Sequence, residues 1–272
     1  MAEWTAEAIR AAADTWIWVP PKSTQVLTSE YHLVSFPEHH HTTKASVLWA
    51  RSGRPAAELV SEIAGYVLAW GLTEAHWTIT ESSRPDGLEA ELLSRGAQPA
   101  ETTTIMAWDL AAGLPDLDVP DGVRTALITG ETDLRAGVGV AMDVWGDGSV
   151  PTAADLAQER DYLAESLRTG LRFRVVGYLG GQPASFGGCD LDGPVARLWG
   201  AATRPQFRGR GAYRAVLAHR LAEARDRGAT LALVKARVDT SAPTLHRLGF
   251  TGYGEERGYT VPFGVTDEGV QA

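Results

Sequence analysis

Cysteine is almost missing from this chain: Cys189 is the single one in 272 residues. No intrachain disulfide can form and no cysteine-based metal cage can be assembled, which suits a reducing, cytoplasmic setting. Long apolar runs are missing as well. No stretch of about eighteen uninterrupted apolar residues occurs, and the opening Met-Ala-Glu-Trp-Thr-Ala-Glu-Ala-Ile-Arg carries no basic flank ahead of an apolar core. Neither export nor membrane spanning is expected. Positive charge is in the minority, 25 Lys and Arg against 34 Asp and Glu for a net charge of −9. Nucleic acid is therefore not an expected partner, because phosphate backbones call for a broad basic surface. The run His39-His40-His41 is a poor metal site, since neighbouring side chains in a strand point to opposite faces and no His-x3-His spacing accompanies it; no metal is expected.

What is present is 44% hydrophobic content, enough for one large domain or two modest ones. Residues 5–14 have helical composition and end before Pro20-Pro21, since proline cannot continue a helix. The pattern then predicts a strand over 25–36, a helix over 55–70 with Leu59, Ile63, Tyr66, Val67 and Trp70 on one stripe, a strand over 74–80, a short helix ending at Gly96 and a strand over 101–110. Residues 112–122, rich in Pro, Asp and Gly, repeat with no period and read as a linker. The boundary is placed there, giving domains 1–113 and 120–265. The second half reads as strand 123–129, helices 131–145 and 154–169 with Thr152 as a cap, strands 172–179, 184–190 and 195–202, helix 211–227, strand 230–238, helix 242–248 and a closing strand near 250–261. Such alternation indicates an α/β (α+β) fold. The order helix, strand, Ser-x-Pro, short helix ending in Gly, strand occurs in both halves, around Ser83-Arg84-Pro85 and Ser241-Ala242-Pro243, and points to a duplicated unit. The tryptophans at 16, 18, 70, 77, 108 and 145 are expected in the core or at a domain interface.

The segment Gln206-Phe207-Arg208-Gly209-Arg210-Gly211 lies between a hydrophobic strand and an apolar-periodic helix. Pro205 has no amide to donate and ends the strand. Gly209 and Gly211 have no Cβ, so the main chain can approach a phosphate closely. The amides from Arg208 to Ala212 form the first turn of a helix, have no intrahelical acceptor and can point at an anion. The Gly-Lys-Ser/Thr ending of a nucleoside triphosphate loop is absent, as is the glycine spacing of a dinucleotide site.

On Pro205-Gln-Phe-Arg-Gly-Arg-Gly211 and on Leu245-His-Arg-Leu-Gly-Phe250, the sequence resembles the GNAT superfamily of N-acetyltransferases over about Val123 to Val261. The resemblance implies two GNAT-like mixed sheets flanked by helices, the N-terminal copy degenerate. In plan this is similar to tandem members such as mycothiol synthase, with one working and one silent copy. It implies acetyl-CoA as co-substrate, held by Ala201, Ala202 and Thr203 along the pantetheine and thioester and by Gln206, Phe207, Arg208, Gly209, Arg210, Gly211, Ala212 and Tyr213 at the pyrophosphate. It also implies a small amine as acceptor; self-association into a homodimer is compatible with the sequence.

Transfer from a thioester to an amine needs a base for the nucleophile and an acid for the departing thiolate. Many relatives carry a tyrosine where Leu245 stands here. His246, Tyr253, Tyr213 or water are its replacements, and Asp239 is the candidate base, with Asp190, Asp192, Glu159 and Asp161 as further carboxylates. Asp239 is equally a helix-capping residue. Two other readings stay open at this point: an acyl- or aminoacyl-transferase with a non-acetyl donor, and a CoA-binding sensor without turnover. Cys189, in an apolar strand, is expected in the core.

Overall fold

The structure, a computed structural model, describes residues 4–20, 22–36, 44–146 and 150–264; His39, His40 and His41 lie outside the described residues. The chain opens with α1 (Ala6–Asp14), started by the Thr5 hydroxyl, which accepts from the Ala8 amide at 3.1 Å. It continues through β1 (Thr24–Leu27), β2 (Tyr31–Ser35), β3 (Ala45–Ala50), α2 (Ala56–Ala69), β4 (Glu74–Ile79), α3 (Leu88–Ser94) and β5 (Gln98–Asp109). Two differences from the sequence reading stand out. The strand expected over 25–36 is a hairpin, because the Thr28 hydroxyl accepts from the amides of Glu30 and Tyr31 and turns the chain. Strand β3 was not expected at all. The apolar face of α2 is Leu59, Val60, Ile63 and Val67, whereas Tyr66 is exposed; the stripe follows positions i, i+1, i+4 and i+8 of a 3.6-residue period. Each of those four side chains contributes about 1.5–3 kcal/mol by leaving water.

The second half supplies β6 (Val123–Leu127), α4 (Glu131–Trp145), α5 (Ala153–Thr169), β7 (Arg172–Leu179), β8 (Gln182–Asp192), β9 (Val195–Thr203), a 3-10 turn over Pro205–Phe207, α6 (Ala212–Asp226), β10 (Leu231–Arg237), α7 (Ser241–Arg247) and β11 (Thr251–Pro262). Thr152 caps α5 as expected, in a reciprocal capping box with Asp155.

The described residues fall into two compact units. The C-terminal unit takes the chain up to Ile9, Met106–Ala236 and Pro243–Gly252; the N-terminal unit takes Arg10–Ile105, Arg237–Ala242 and the chain from Tyr253 on. Unit membership thus does not follow the linear division at 112–122. In the N-terminal unit β1, β2 and β3 pair antiparallel, β3 and β4 pair parallel across the α2 crossover, and β11 returns to pair antiparallel with β4, Gly258 opposite Thr78. The last strand among the described residues therefore joins the sheet built by the first half. Its core is Tyr31, Leu33, Val47, Leu59, Ile63, Trp77 and their neighbours. In the C-terminal unit β6 to β9 pair antiparallel in succession and β10 joins β9 in parallel across α6. Helices α4 and α6 both pack on this sheet. Both units are mixed sheets with flanking helices, the α/β architecture expected. Trp77 is fully buried, but Trp18 and Trp145 are about half exposed, at 54% and 53%, so these two are not core residues.

Gly188 of β8 lies beneath the indole of Trp199, and a Cβ there would come within 2.4 Å of the ring. Gly188→Val is expected to lower the stability of the C-terminal unit by about 3 kcal/mol, read as a drop in the denaturant midpoint without a change in slope. Cys189, next in the strand, is fully buried, and burial pushes its thiol up to about 12. The native protein at pH 8 is expected to resist iodoacetamide, with one alkyl group added per chain only after unfolding, as mass spectrometry would show.

Candidate functional site

Strand β9 pairs with β10 at Val195, Ala196 and Arg197, opposite Leu231, Ala232 and Leu233. The pairing stops there, although β9 runs on to Thr203 and β10 to Arg237. The two strands part, and their facing main-chain edges no longer serve one another. On its other edge β9 stays with β8 through a bulge. Trp199 opposes Gly188 and Ala202 opposes Phe186, so Gly200 and Ala201 together face Gly187. Gly200 has φ +59, the left-handed region that a bulge of this kind asks of its first residue. The Ser185 hydroxyl donates to the Ala202 carbonyl at 2.8 Å and shares a hydrogen bond with the Thr203 hydroxyl at 3.0 Å. The sequence had no signal for this bulge beyond an isolated glycine in a strand.

After Thr203 the chain is held from below. Arg204 donates to the Pro183 carbonyl at 2.9 Å and pairs with Asp143 of α4 at 2.6 Å. Phe207 is buried and anchors the 3-10 turn. Arg208 reaches back to the Thr203 carbonyl at 3.2 Å, and the Arg210 guanidinium lies 5.7 Å from the centre of the Phe207 ring. Both charges stay exposed at the turn, as does Gln206. Gly209 and Gly211 have φ +72 and +82. A Cβ on Gly209 would meet nothing within 4 Å, so the approach to its main chain is open, while one on Gly211 would sit 2.4 Å from Pro120. Gly211 is the N-cap of α6, with no side chain capping it. Ala212 is buried and Tyr213 half-buried. Sequence reasoning assigned the free amides to Arg208–Ala212. The Arg208 amide is in fact taken by the Pro205 carbonyl at 3.2 Å, and among the described residues the amides without an acceptor run from Gly209 to Arg214. They sit at the positive end of a fifteen-residue helix. The turn thus offers an anion a set of donors, an open approach and two arginines, and fits a pyrophosphate group.

The candidate proton-transfer groups fare differently. Asp239 lies exposed in the turn after β10, His246 is exposed in the last turn of α7, and Tyr253 is half-buried in β11, its carbonyl accepting from Arg10 at 3.4 Å. Leu245 is fully buried. Burial pushes the Tyr213 hydroxyl up, partly offset by the nearby Arg220 charge. Of the other carboxylates, Asp190 accepts from the Trp199 indole at 2.9 Å and lies 3.8 Å from Arg172. Asp192 pairs with Arg197 at 2.6 Å, and Glu159 is bound by the buried Arg174. These three are committed to arginine or indole partners; Asp161 is exposed on α5. Trp145, which ends α4, places its ring 3.7 Å from where a Gly200 Cβ would be.

In the N-terminal unit the corresponding strand-to-helix turn, Ala50-Arg51-Ser52-Gly53-Arg54-Pro55, is built in another way. The Ser52 hydroxyl donates to the Glu30 carboxylate, and Arg54 binds Glu30 at 2.9 Å and Glu62 at 2.6 Å. The Arg51 amide donates to the Glu30 carbonyl at 2.6 Å and the Arg54 amide to the Ser52 hydroxyl at 3.0 Å. Gly53 has no positive φ. Just past the paired part of β3 and β4, the Arg84 amide donates to the Ala50 carbonyl at 3.0 Å and the Ser52 amide to the Arg84 carbonyl at 3.3 Å, so main chain fills the place where β9 and β10 part in the other unit.

Residues 143–250 match the Acetyltransferase (GNAT) family. No curated protein matches the chain. Among solved structures, a GCN5-related N-acetyltransferase from Kribbella flavida is similar over 95% of this chain and 96% of its own, with TM-score 0.66 and 18% identity. A GCN5-related N-acetyltransferase from Sphaerobacter thermophilus covers 88% of this chain and 82% of its own, with TM-score 0.62 and 17% identity. A tandem GNAT protein from the clavulanic acid biosynthesis pathway covers 94% and 88%, with TM-score 0.61 and 19% identity. At these identities the likeness is one of fold. No helix among the described residues is long and apolar enough to cross a membrane. The parted strands, the bulge and the glycine turn all lie within residues 143–250, the segment that matches the Acetyltransferase (GNAT) family.

Proposed function

We propose that the protein is an acetyl-CoA-dependent N-acetyltransferase of a small amine, working from one site at the parting of β9 and β10. The observation that carries the reading is the coincidence of that parting with a turn whose amides, Gly209 to Arg214, have no acceptor. The turn residues Gln206 to Tyr213 hold the pyrophosphate, with Arg208 and Arg210 adding charge. Main chain of Ala201, Ala202 and Thr203 aligns the pantetheine and the thioester. When bound, the thioester supplies an acyl carbon on which a C–N bond forms as the C–S bond breaks, its electron pair leaving on sulfur, which takes a proton as the amine loses one. Asp239 is retained as the candidate base, with His246 and Tyr253 as candidate acids. No nucleic acid or membrane partner is needed.

The N-terminal unit is read as a degenerate copy, similar in plan to tandem members such as mycothiol synthase. Glu30 supports this, because a carboxylate already satisfies Ser52 and Arg54 at the turn, and a like charge repels a phosphate. The Arg84 main chain supports it again by occupying the gap. Calorimetry with CoA is expected to give one site per chain; two sites of similar affinity would end the single-site reading. Gly209→Val is expected to weaken CoA binding at least tenfold while costing about 1–2 kcal/mol of stability from the left-handed backbone. Gly211→Val, which also collides with Pro120, is expected to lose both affinity and stability. CoA affinity unchanged in Gly209→Val would remove the turn from the site.

One observation favours a second reading. Leu245 is buried where relatives place an acid, and Glu159, Asp190 and Asp192 are tied to partners. A donor other than acetyl-CoA, or CoA binding without turnover, fits that arrangement. Incubation with labelled acetyl-CoA and an amine panel separates these: thiol release dependent on an amine supports acetyl transfer, and tight CoA binding with no release supports a sensor.

A further inference from the structure

Arg220 stands in the middle of α6 with 1% of its surface exposed, and among the described residues no carboxylate pairs with it. Its Nη1 donates to the carbonyl of Gly188 at 3.1 Å and to that of Trp199 at 3.3 Å, and its Nε has no acceptor. Room for the guanidinium exists because residue 187 is glycine: a Cβ there would lie 2.7 Å from the guanidinium carbon. Packing alone does not account for a cation in this place, since an apolar side chain of similar volume would fill it without the desolvation penalty. The rest of the buried face of α6 is apolar: Ala212, Ala215, Val216, Leu217, Leu221 and Ala224.

The two carbonyls are not arbitrary. Gly188 and Trp199 are the pair that borders the β9 bulge on one side, and Gly187 is the residue that the extra pair Gly200 and Ala201 faces. One guanidinium therefore ties both strands together at the border of the bulge, next to the point where β9 leaves β10.

We propose that Arg220 is a positioning residue for acyl transfer: by binding the Trp199 and Gly188 carbonyls it fixes the β9 bulge, and through it the main chain of Ala201, the bulge residue among those that align the thioester and polarise its carbonyl. The proposal rests on the acetyl-CoA reading above. A lysine at this position keeps the charge but has neither the planar fork nor its fixed geometry, so Arg220→Lys separates charge from positioning.

The test uses the full chain, with [1-13C]acetyl-CoA as probe and the carbonyl stretch of the bound thioester as readout, so that no acceptor need be known. In the unmodified protein the stretch is expected at lower frequency than in solution. In Arg220→Lys, folded by circular dichroism, CoA affinity is expected within about threefold of the unmodified protein while most of that frequency shift is lost. Amine-dependent turnover, once an acceptor is in hand, is expected to fall roughly a hundredfold with little change in KM for acetyl-CoA, the scale that small misplacements of reacting groups produce. An unchanged shift in the variant, or no shift in the unmodified protein despite bound CoA, overturns the role of Arg220. Failure of the unmodified protein to bind CoA overturns the acetyl-CoA reading instead. Should Arg220→Lys not fold, Gly187→Ala, which displaces the guanidinium and keeps it in the chain, decides: a lost shift supports the role and a retained one overturns it.

Discussion

Everything at the site depends on two strands that stop pairing. A parallel pair that continued from Arg197 and Leu233 to the end of β9 would satisfy its main chain internally and leave no surface for a ligand. Parting exposes main-chain groups, and it is tolerated because other elements hold each strand. β9 keeps its bonds to β8, Arg220 takes up carbonyls beside the bulge, and Arg204 clamps the chain just past Thr203 to Pro183 and to Asp143 on α4. The glycine turn that follows is open for a second reason: Gly209 and Gly211 occupy backbone that L side chains rarely adopt, and the helix behind them begins without a capping side chain.

The N-terminal unit displays the same strand, turn, helix, strand sequence with the opposite outcome. Ser52 and Arg54 are turned inward on Glu30, and Arg84 lends its amide and carbonyl to the edge that β3 and β4 leave unpaired. The amides of such a turn have to be satisfied by something, and here the chain does it with its own main-chain carbonyls and the Ser52 hydroxyl. Pro55 at the start of α2 removes one donor altogether. The contrast between the units is one of what satisfies the backbone, not of topology.

Much of this was legible in the residues. Element order, the end of β9 before Pro205 and the capping of α5 by Thr152 follow from proline, glycine and capping chemistry acting over a few positions. What was not legible depends on partners far away in sequence. Arg220 reads as a polar interruption on an apolar helix face, and only the structure brings it to Gly188 and Trp199, 32 and 21 residues away. Glu30 reads as a turn residue until Ser52 and Arg54 are seen around it. The hairpin β1–β2 was read as one strand because a single threonine hydroxyl makes the turn. The separation of Trp145 from the core was hidden too, since a tryptophan at the end of a helix has the same composition signal whether it is covered or not. Helix α2 illustrates a smaller error of the same kind: Tyr66 sits at an allowed spacing, yet Val60 takes the inward place.

The return of β11 to β4 has a consequence for how the molecule is made. A ribosome releases the chain from its N-terminus onward, so β1 to β4 emerge long before their antiparallel neighbour. Until the stretch Thr251–Pro262 clears the exit tunnel, the outer edge of β4 that will receive it, from Glu74 to Ile79, has no native strand to pair with. The first half is thus synthesised early and finished last.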